Sequence, residues 1–276
     1  MRRENIDLGS RLIPYQEGWD LQRRIHAQVA AGEAPSTLLL LEHEPVYTVG
    51  RRAHSWERPA GDVVEPGSVP VITVDRGGKT TWHGPGQLTV YPIVRLAAPL
   101  DVIAYVRALE AAVMELCGSY GLATMRVEGR SGVWVPGQPP ARDPAVGEAG
   151  AGQGAINRNS GSQGSASQGN AGQTTAHRDR AGGTAAPRRE RKVCALGVRV
   201  SRGVTMHGIG LNVDPDLEAF SLERIIPCGI EDAGVTSLSR ELGRTLATAD
   251  PADALARALS THLAPLMAPT DGADRS

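Results

Sequence analysis

Apolar residues recur along this chain with two different periods, which divide it into helices and strands. Helical spacing is clearest after Asp101, where Val102, Val106, Leu109, Val113 and Leu116 fall on one face and Gly118 or Gly121 can end the helix. A helix is also expected over Tyr15–Ala31, and another near the C-terminus, where Leu255, Leu259, Leu263 and Leu266 form a stripe. Between these, β-branched and continuous apolar runs predict strands at 37–42, 69–74, 88–96, 133–135, 193–200 and 204–213, the first ending in a turn around Pro45. The last two flank Ser201-Arg202-Gly203, a hairpin signal. No internal repeat is visible. Strands dominate the middle, with helices at the ends and once between. That order favours an α+β single domain, a mixed and mostly antiparallel sheet flanked by helices, over a doubly wound parallel sheet.

One stretch breaks the pattern. Residues 137–190 are mostly Gly, Ser, Ala, Gln, Asn, Pro and Arg, with hardly a large apolar side chain. Such a segment buries too little surface to offset its ordering entropy, so it reads as a disordered insertion between two structured parts. Residues 269–276 read as a disordered tail. One domain is therefore expected from 1–136 and 191–268.

Composition excludes several classes of function. The chain has 276 residues and a formal net charge of -1, and its one short basic stretch is Arg188, Arg189, Arg191 and Lys192. Nucleic acid is disfavoured as a partner, because phosphate binding needs clustered cations. No apolar run is long enough to span a membrane, and no signal-peptide core follows Met1. Cys117, Cys194 and Cys228 are odd in number and lack metal-ligand spacing, so neither a disulfide framework nor a metal site is expected. A reducing, cytoplasmic setting follows. With 41% hydrophobic residues but a single Phe, the core must be largely aliphatic.

Four segments carry candidate chemistry. The first is Arg76-Gly77-Gly78-Lys79-Thr80-Thr81-Trp82-His83-Gly84-Pro85-Gly86-Gln87, whose glycines let backbone approach a ligand. A plain glycine-rich turn between strands fits it as well, and it lacks the Gly-Lys-Ser/Thr ending of a phosphate loop. The second, Arg191-Lys192-Val193-Cys194-Ala195-Leu196-Gly197-Val198-Arg199-Val200, places a lysine at the start of a buried strand. That lysine is an ordinary solvated strand end unless something nucleophilic faces it. The third is His207-Gly208-Ile209-Gly210-Leu211-Asn212-Val213, where a core histidine is the common explanation. The fourth, Ile225-Ile226-Pro227-Cys228-Gly229-Ile230, sets a cysteine on a constrained turn that can present a thiol. Most lone cysteines are core residues, the better reading for Cys117 and Cys194.

Taken together, and with Leu41-Glu42-His43 and Pro45-Val46-Tyr47-Thr48 upstream, these segments resemble the lipoyl(octanoyl) transferase family, a branch of the biotin- and lipoate-protein ligase fold. The resemblance spans nearly the whole chain outside the insertion and tail. It implies an acyltransferase in which Cys228 attacks octanoyl–acyl carrier protein and holds octanoyl as a thioester. Lys192 would stabilise the thiolate, lowering the thiol from its free value of about 8.5, and later free the ε-amine of the acceptor lysine. Acyl-pocket roles would fall to Arg76, Gly77, Gly78, Lys79, Thr80, Thr81, Trp82 and His83, to Ala195, Leu196 and Gly197, and to Gly208, Ile209 and Gly210. Small residues there leave room for an alkyl chain, and amides near Gly197 or Gly208 are offered to the oxyanion.

The acceptors implied are lipoyl domains of 2-oxoacid dehydrogenase acyltransferase subunits and the glycine cleavage H protein. The resemblance implies no cofactor, no metal and no ATP, and a monomer is expected. The chain departs from the family pattern in its long insertion beside Lys192, read as a flexible tether outside the site, in Cys194 and Gly210, and in the length of 220–226. Three rivals remain open at this point: an ATP-dependent lipoate or biotin ligase, a thioester hydrolase using His83 or His207, and a non-catalytic binder.

Overall fold

The computed structural model of the protein describes residues 1–59, 61–137, 189–221, 224 and 233–269. Its elements in chain order are β1 (Arg2–Asn5), α1 (Tyr15–Ala31), β2 (Thr37–Leu41), β3 (Val46–Val49), β4 (Val63–Val64), β5 (Val69–Thr73), β6 (Thr80–His83), β7 (Gln87–Ile93), α2 (Val102–Ser119), β8 (Met125–Val127), β9 (Arg130–Val135), β10 (Arg191–Ser201), β11 (Val204–Asn212), β12 (Gly234–Val235), α3 (Leu238–Leu242) and α4 (Ala252–Leu263). The main sheet runs β1-β2-β7-β11-β10-β9-β8 with β12 beside β10, and a smaller sheet runs β4-β5-β3-β6. Among the described residues, β1–β2, β3–β5 and β10–β12 pair in parallel and the other strand pairs are antiparallel. The expected mixed, mostly antiparallel α+β architecture is what the chain adopts.

The continuous Leu38–Leu41 run is explained by a sheet covered on both faces. Leu38 and Leu40 join the large core beneath α2 and α4, while Leu39 and Leu41 turn to the α1 side with Tyr91 and Ile93. Helix α1 ends at Gly32, whose φ of 78° lets its amide and that of Glu33 close on the last turn. Asp101 caps α2 by accepting a 2.8 Å bond from the Ala104 amide. The hairpin between β10 and β11 turns on Arg202 and Gly203, both at positive φ as a two-residue turn requires. Leu266 lies outside α4, in a 3-10 turn over Ala264–Leu266 that contains Pro265.

Several elements were not anticipated: β1, the β8–β9 hairpin and the smaller sheet as a unit. That sheet packs Tyr47, Val64 and Trp82 against Ala219 and Phe220. The expected insertion at 137–190 lies outside the described residues except at Gly137, Arg189 and Glu190, as does the expected tail beyond Pro269.

Candidate active site

Lys192 enters β10 between two partners, antiparallel to Trp134 on β9 and parallel to Val235 on β12. Its side chain is 6% exposed, and its Nζ lies over the Trp134 ring, 4.5 Å from the centroid. A register shift between Lys192 and Cys194 re-aims the strand. Val193 and Cys194 fall into the apolar core, whereas Lys192, Ala195 and Gly197 line a cavity of about 280 Å3. Gly132 makes this packing possible. It holds φ at 124°, and a Cβ there would sit 2.6 Å from the Cys194 carbonyl oxygen and 3.2 Å from Lys192 Cε.

Glycines let neighbouring groups pack closely in the cavity wall. Gly197 and Gly208 face each other across β10 and β11. A Cβ on Gly197 would come within 2.9 Å of Arg76 Cδ, and one on Gly210 within 2.8 Å of Gln87 Oε1. At Gly208 it would strike the Val90 carbonyl oxygen. Gln87 occupies the space over Gly210 and ties three of the sequence motifs together. Its Oε1 accepts from His83 Nδ1 at 2.7 Å, its Nε2 donates to Asn212 Oδ1 at 2.9 Å, and Asn212 Nδ2 donates to the Thr236 carbonyl at 3.0 Å. The Thr236 amide in turn donates to the Lys192 carbonyl.

These bonds fix protonation states. His43 Nδ1 must donate to the Ile13 carbonyl (2.8 Å), so its Nε2 accepts from the Tyr91 hydroxyl (2.6 Å) and the ring is neutral. Burial lowers its pKa to about 4. His83, donating through Nδ1 to Gln87, keeps a lone pair on Nε2, and burial holds its pKa well below the ordinary value. His207 sits at φ 57° with its amide held by Gln22 Oε1 and its Nε2 bonded to Asp75 at 2.8 Å. Burial lowers the His207 pKa although Asp75 acts the other way, and the bond from His207 lowers that of Asp75. Burial pushes Tyr15 on the same cavity wall up to about 12. Tyr15, His83, Tyr91 and His207 thus add aromatic donors and acceptors to a wall that also holds Arg52, Arg76, Lys79, Arg130 and Lys192.

The sequence-predicted residues divide into groups. Arg76, Gly78, Lys79, Thr81, His83, Ala195, Leu196, Gly197, Gly208, Ile209 and Gly210 line the cavity with Lys192. The charged ends of Arg76 and Lys79 are engaged within the protein. Arg76 donates to Thr48 and to the Gly77 carbonyl, and Lys79 pairs with the buried Glu57. Thr80 and Trp82 alternate to the other face of β6, where Thr80 bonds the Glu57 carbonyl and Trp82 packs edge-on against Phe220. Gly77 donates its amide to Val198 and borders an adjoining cavity. Cys228 lies outside the described residues. On its N-terminal side the chain is anchored by Phe220 on Trp82 and by Tyr47 Oη on the Ala219 carbonyl. On its C-terminal side β12 pairs with Arg191 and Lys192. Cys117 and Cys194 are buried, and burial pushes the Cys117 thiol up to about 12. Among the described residues no cluster of His, Cys, Asp and Glu could hold a metal, and no helix is long and apolar enough to cross a membrane.

The sequence pattern did not single out Gly132, Trp134, Tyr15, Tyr91 or Asp75 as site residues. A glycine inside the strand pattern Ser131-Gly132-Val133-Trp134 signals close approach of another group, and that signal points to Gly132.

A mixed sheet carrying a buried lysine at a glycine-walled cavity places the chain in the lipoate-protein ligase fold. Two solved structures share that fold: a bipartite lipoate protein ligase from Thermoplasma acidophilum (TM-score 0.55, 13% identity, 95% of this chain and 83% of that one) and the P. falciparum protein LipL1 (TM-score 0.56, 9% identity, 99% and 63%). The chain belongs to the lipoyl protein ligase A/B catalytic domain family, which matches it over residues 14–260. It is 46% identical over 260 residues to a protein named octanoyltransferase from Thermobifida fusca, covering 94% of this chain and 87% of that one. It is 51% identical over 244 residues to another so named from Streptomyces coelicolor, covering 88% and 86%.

Proposed function

We propose that the chain is an acyltransferase that moves an octanoyl group from octanoyl–acyl carrier protein to the ε-amine of a lysine on a lipoyl domain, through a thioester on Cys228. What carries this reading is Lys192, a buried lysine held over an indole in the wall of a cavity lined by the glycine motifs. High identity to proteins named octanoyltransferase, over most of both chains, supports the choice of acyl group.

In the first half-reaction the Cys228 thiolate attacks the thioester carbonyl carbon. The new carbon–sulfur bond replaces the one to the carrier's arm, and the departing carrier thiolate takes a proton from the Lys192 ammonium, which leaves that lysine neutral for the second step. In the second, the acceptor amine attacks the enzyme thioester, an amide forms, and the Cys228 thiolate leaves. Lys192 takes the proton that the amine gives up. Splitting one transfer into two thioester steps keeps the acyl group activated, so ATP is not consumed. Closing the alkyl chain into the cavity keeps water from the thioester. The acceptors are the lipoyl domains of 2-oxoacid dehydrogenase acyltransferase subunits and the glycine cleavage H protein, the compartment is the cytoplasm, and the working unit is the monomer.

The test is transfer to an apo lipoyl domain from octanoyl–acyl carrier protein without ATP. Modification under those conditions is expected. Modification only with ATP and free octanoate would replace this reading with a ligase, and release of free octanoate without an amide product would replace it with a hydrolase.

A further inference from the structure

Beside the Lys192 cavity lies a second, open one of about 320 Å3. Arg52, Gly78, Arg130 and Gly197 border both, so the two adjoin. Helix α2 contributes Val102, Ile103, Val106, Arg107 and Glu110 to its lining. The inward face of that helix is filled by Tyr105, Leu109 and Val113, yet Val102 and Ile103 also border the outer cavity and are 42% and 75% exposed. Leu100, just before the helix, is half exposed as well. This apolar strip is surplus to the core.

The same wall is cationic. Arg52, Arg107 and Arg130 border the cavity, and Arg130 pairs with Glu190 at 3.5 Å. Arg107 and Arg126 share the buried Glu110, one carboxylate between two guanidinium groups. Arg52 adds a further positive charge, which leaves the groove positive.

We infer that this outer groove seats the carrier half of the donor: the phosphodiester-linked arm of an acyl carrier protein and the acidic face beside it. The inference rests on the acyl-transfer reading above. A thioester at the tip of a long arm must reach Lys192 from outside, and the outer cavity adjoins the inner one. A phosphodiester is matched by the planar fork of arginine, an acidic carrier by the net positive rim, and the aliphatic part of the arm by Val102 and Ile103.

The test compares three substrates with the full-length wild type, Ile103→Asp and Arg52→Ala: octanoyl–acyl carrier protein, the octanoyl thioester of N-acetylcysteamine, and the apo lipoyl domain. Ile103 is a surface side chain, so its replacement leaves the fold intact. For Ile103→Asp, the KM for the carrier-bound donor is expected to rise about tenfold, with the short thioester and the lipoyl domain unaffected. Arg52→Ala is expected to raise the same KM and flatten its dependence on salt. An unchanged carrier KM in both variants, or a rise for the lipoyl domain instead, would overturn the docking assignment while leaving acyl transfer standing. Failure of the wild type to transfer from either donor would overturn the acyl-transfer reading and the docking with it.

Discussion

Lys192 and Trp134 stand directly opposite each other across the β9–β10 ladder, with the lysine Nζ 4.5 Å from the centroid of the indole ring. A desolvated cation–π contact of this kind is worth roughly 2 kcal/mol. It steadies the side chain through a ring face and brings no opposing carboxylate against it. Lys192→Ala should slow both half-reactions by about a hundredfold or more, the usual scale for losing a positioned acid–base group. Trp134→Leu should slow them by up to about thirtyfold, the rate equivalent of a lost contact of that size. Rapid-quench measurement of each half-reaction separates the two effects, and full activity in the lysine variant would contradict its role.

Gly132 is the second determinant of that lysine's position. Gly132→Ala must place a methyl group at φ 124°, against the Cys194 carbonyl and the Lys192 stem. A cost of about 2 kcal/mol in stability is expected from the strained backbone alone, together with slowed acyl transfer. Gly121→Ala is the control: φ is 77° but nothing lies within 4 Å, so stability should fall while the transfer rate does not. Chemical denaturation and transfer rates on both variants check this. Equal rates in Gly132→Ala and the wild type would show that Gly132 does not position Lys192.

The buried neutral histidines make stability depend on pH. Burial takes the His43 pKa from its ordinary 6.5 down to about 4 in the fold, so between those values the unfolded chain binds the extra proton. Stability is then fully present above about pH 6.5 and is lost as pH falls towards 4, by up to about 3 kcal/mol for this one group. His83, shifted in the same direction, adds to the slope. His43→Gln should flatten the dependence of unfolding free energy on pH between 7 and 4.5. An unaltered slope would place the proton uptake elsewhere.

The ends of the long insertion meet within a ladder. Val135 on β9 and Arg191 on β10 are cross-strand partners, so the chain leaving Gly137 and the chain returning at Arg189 start from adjacent points. Replacing residues 138–188 by a short glycine-rich turn should therefore leave transfer within about twofold of the full-length rate, since the ends already lie side by side and closing a shorter flexible loop costs less entropy than closing a long one. A collapse of turnover would show that the segment takes part in the reaction.

Long periodic elements were legible in the sequence because their punctuation was clear. Gly32 and Asp101 mark the end of α1 and the start of α2, and Arg202-Gly203 the β10–β11 turn. Strand β1 was not legible, because Arg-Arg-Glu-Asn carries no apolar alternation and is held by backbone pairing with β2. The motifs converge on one cavity, but they do not show which side chains face it. Strand alternation turns Thr80 and Trp82 away, and the shift beside Val193 keeps Cys194 in the core while turning Ala195 to the cavity. The pairing of Lys79 with Glu57, and of His207 with Asp75, joins residues 22 and 132 positions apart, which no local pattern encodes.

Acyl transfer as proposed here turns on a thioester at Cys228. Mixing the enzyme with octanoyl–acyl carrier protein without ATP, and following intact mass and then peptide mass, tests it most directly. One octanoyl adduct is expected, mapping to Cys228, lost when an apo lipoyl domain is added, and absent in Cys228→Ser. A lipoyl domain octanoylated at the full rate by Cys228→Ser, or an adduct that maps to Cys117 or Cys194, would contradict it.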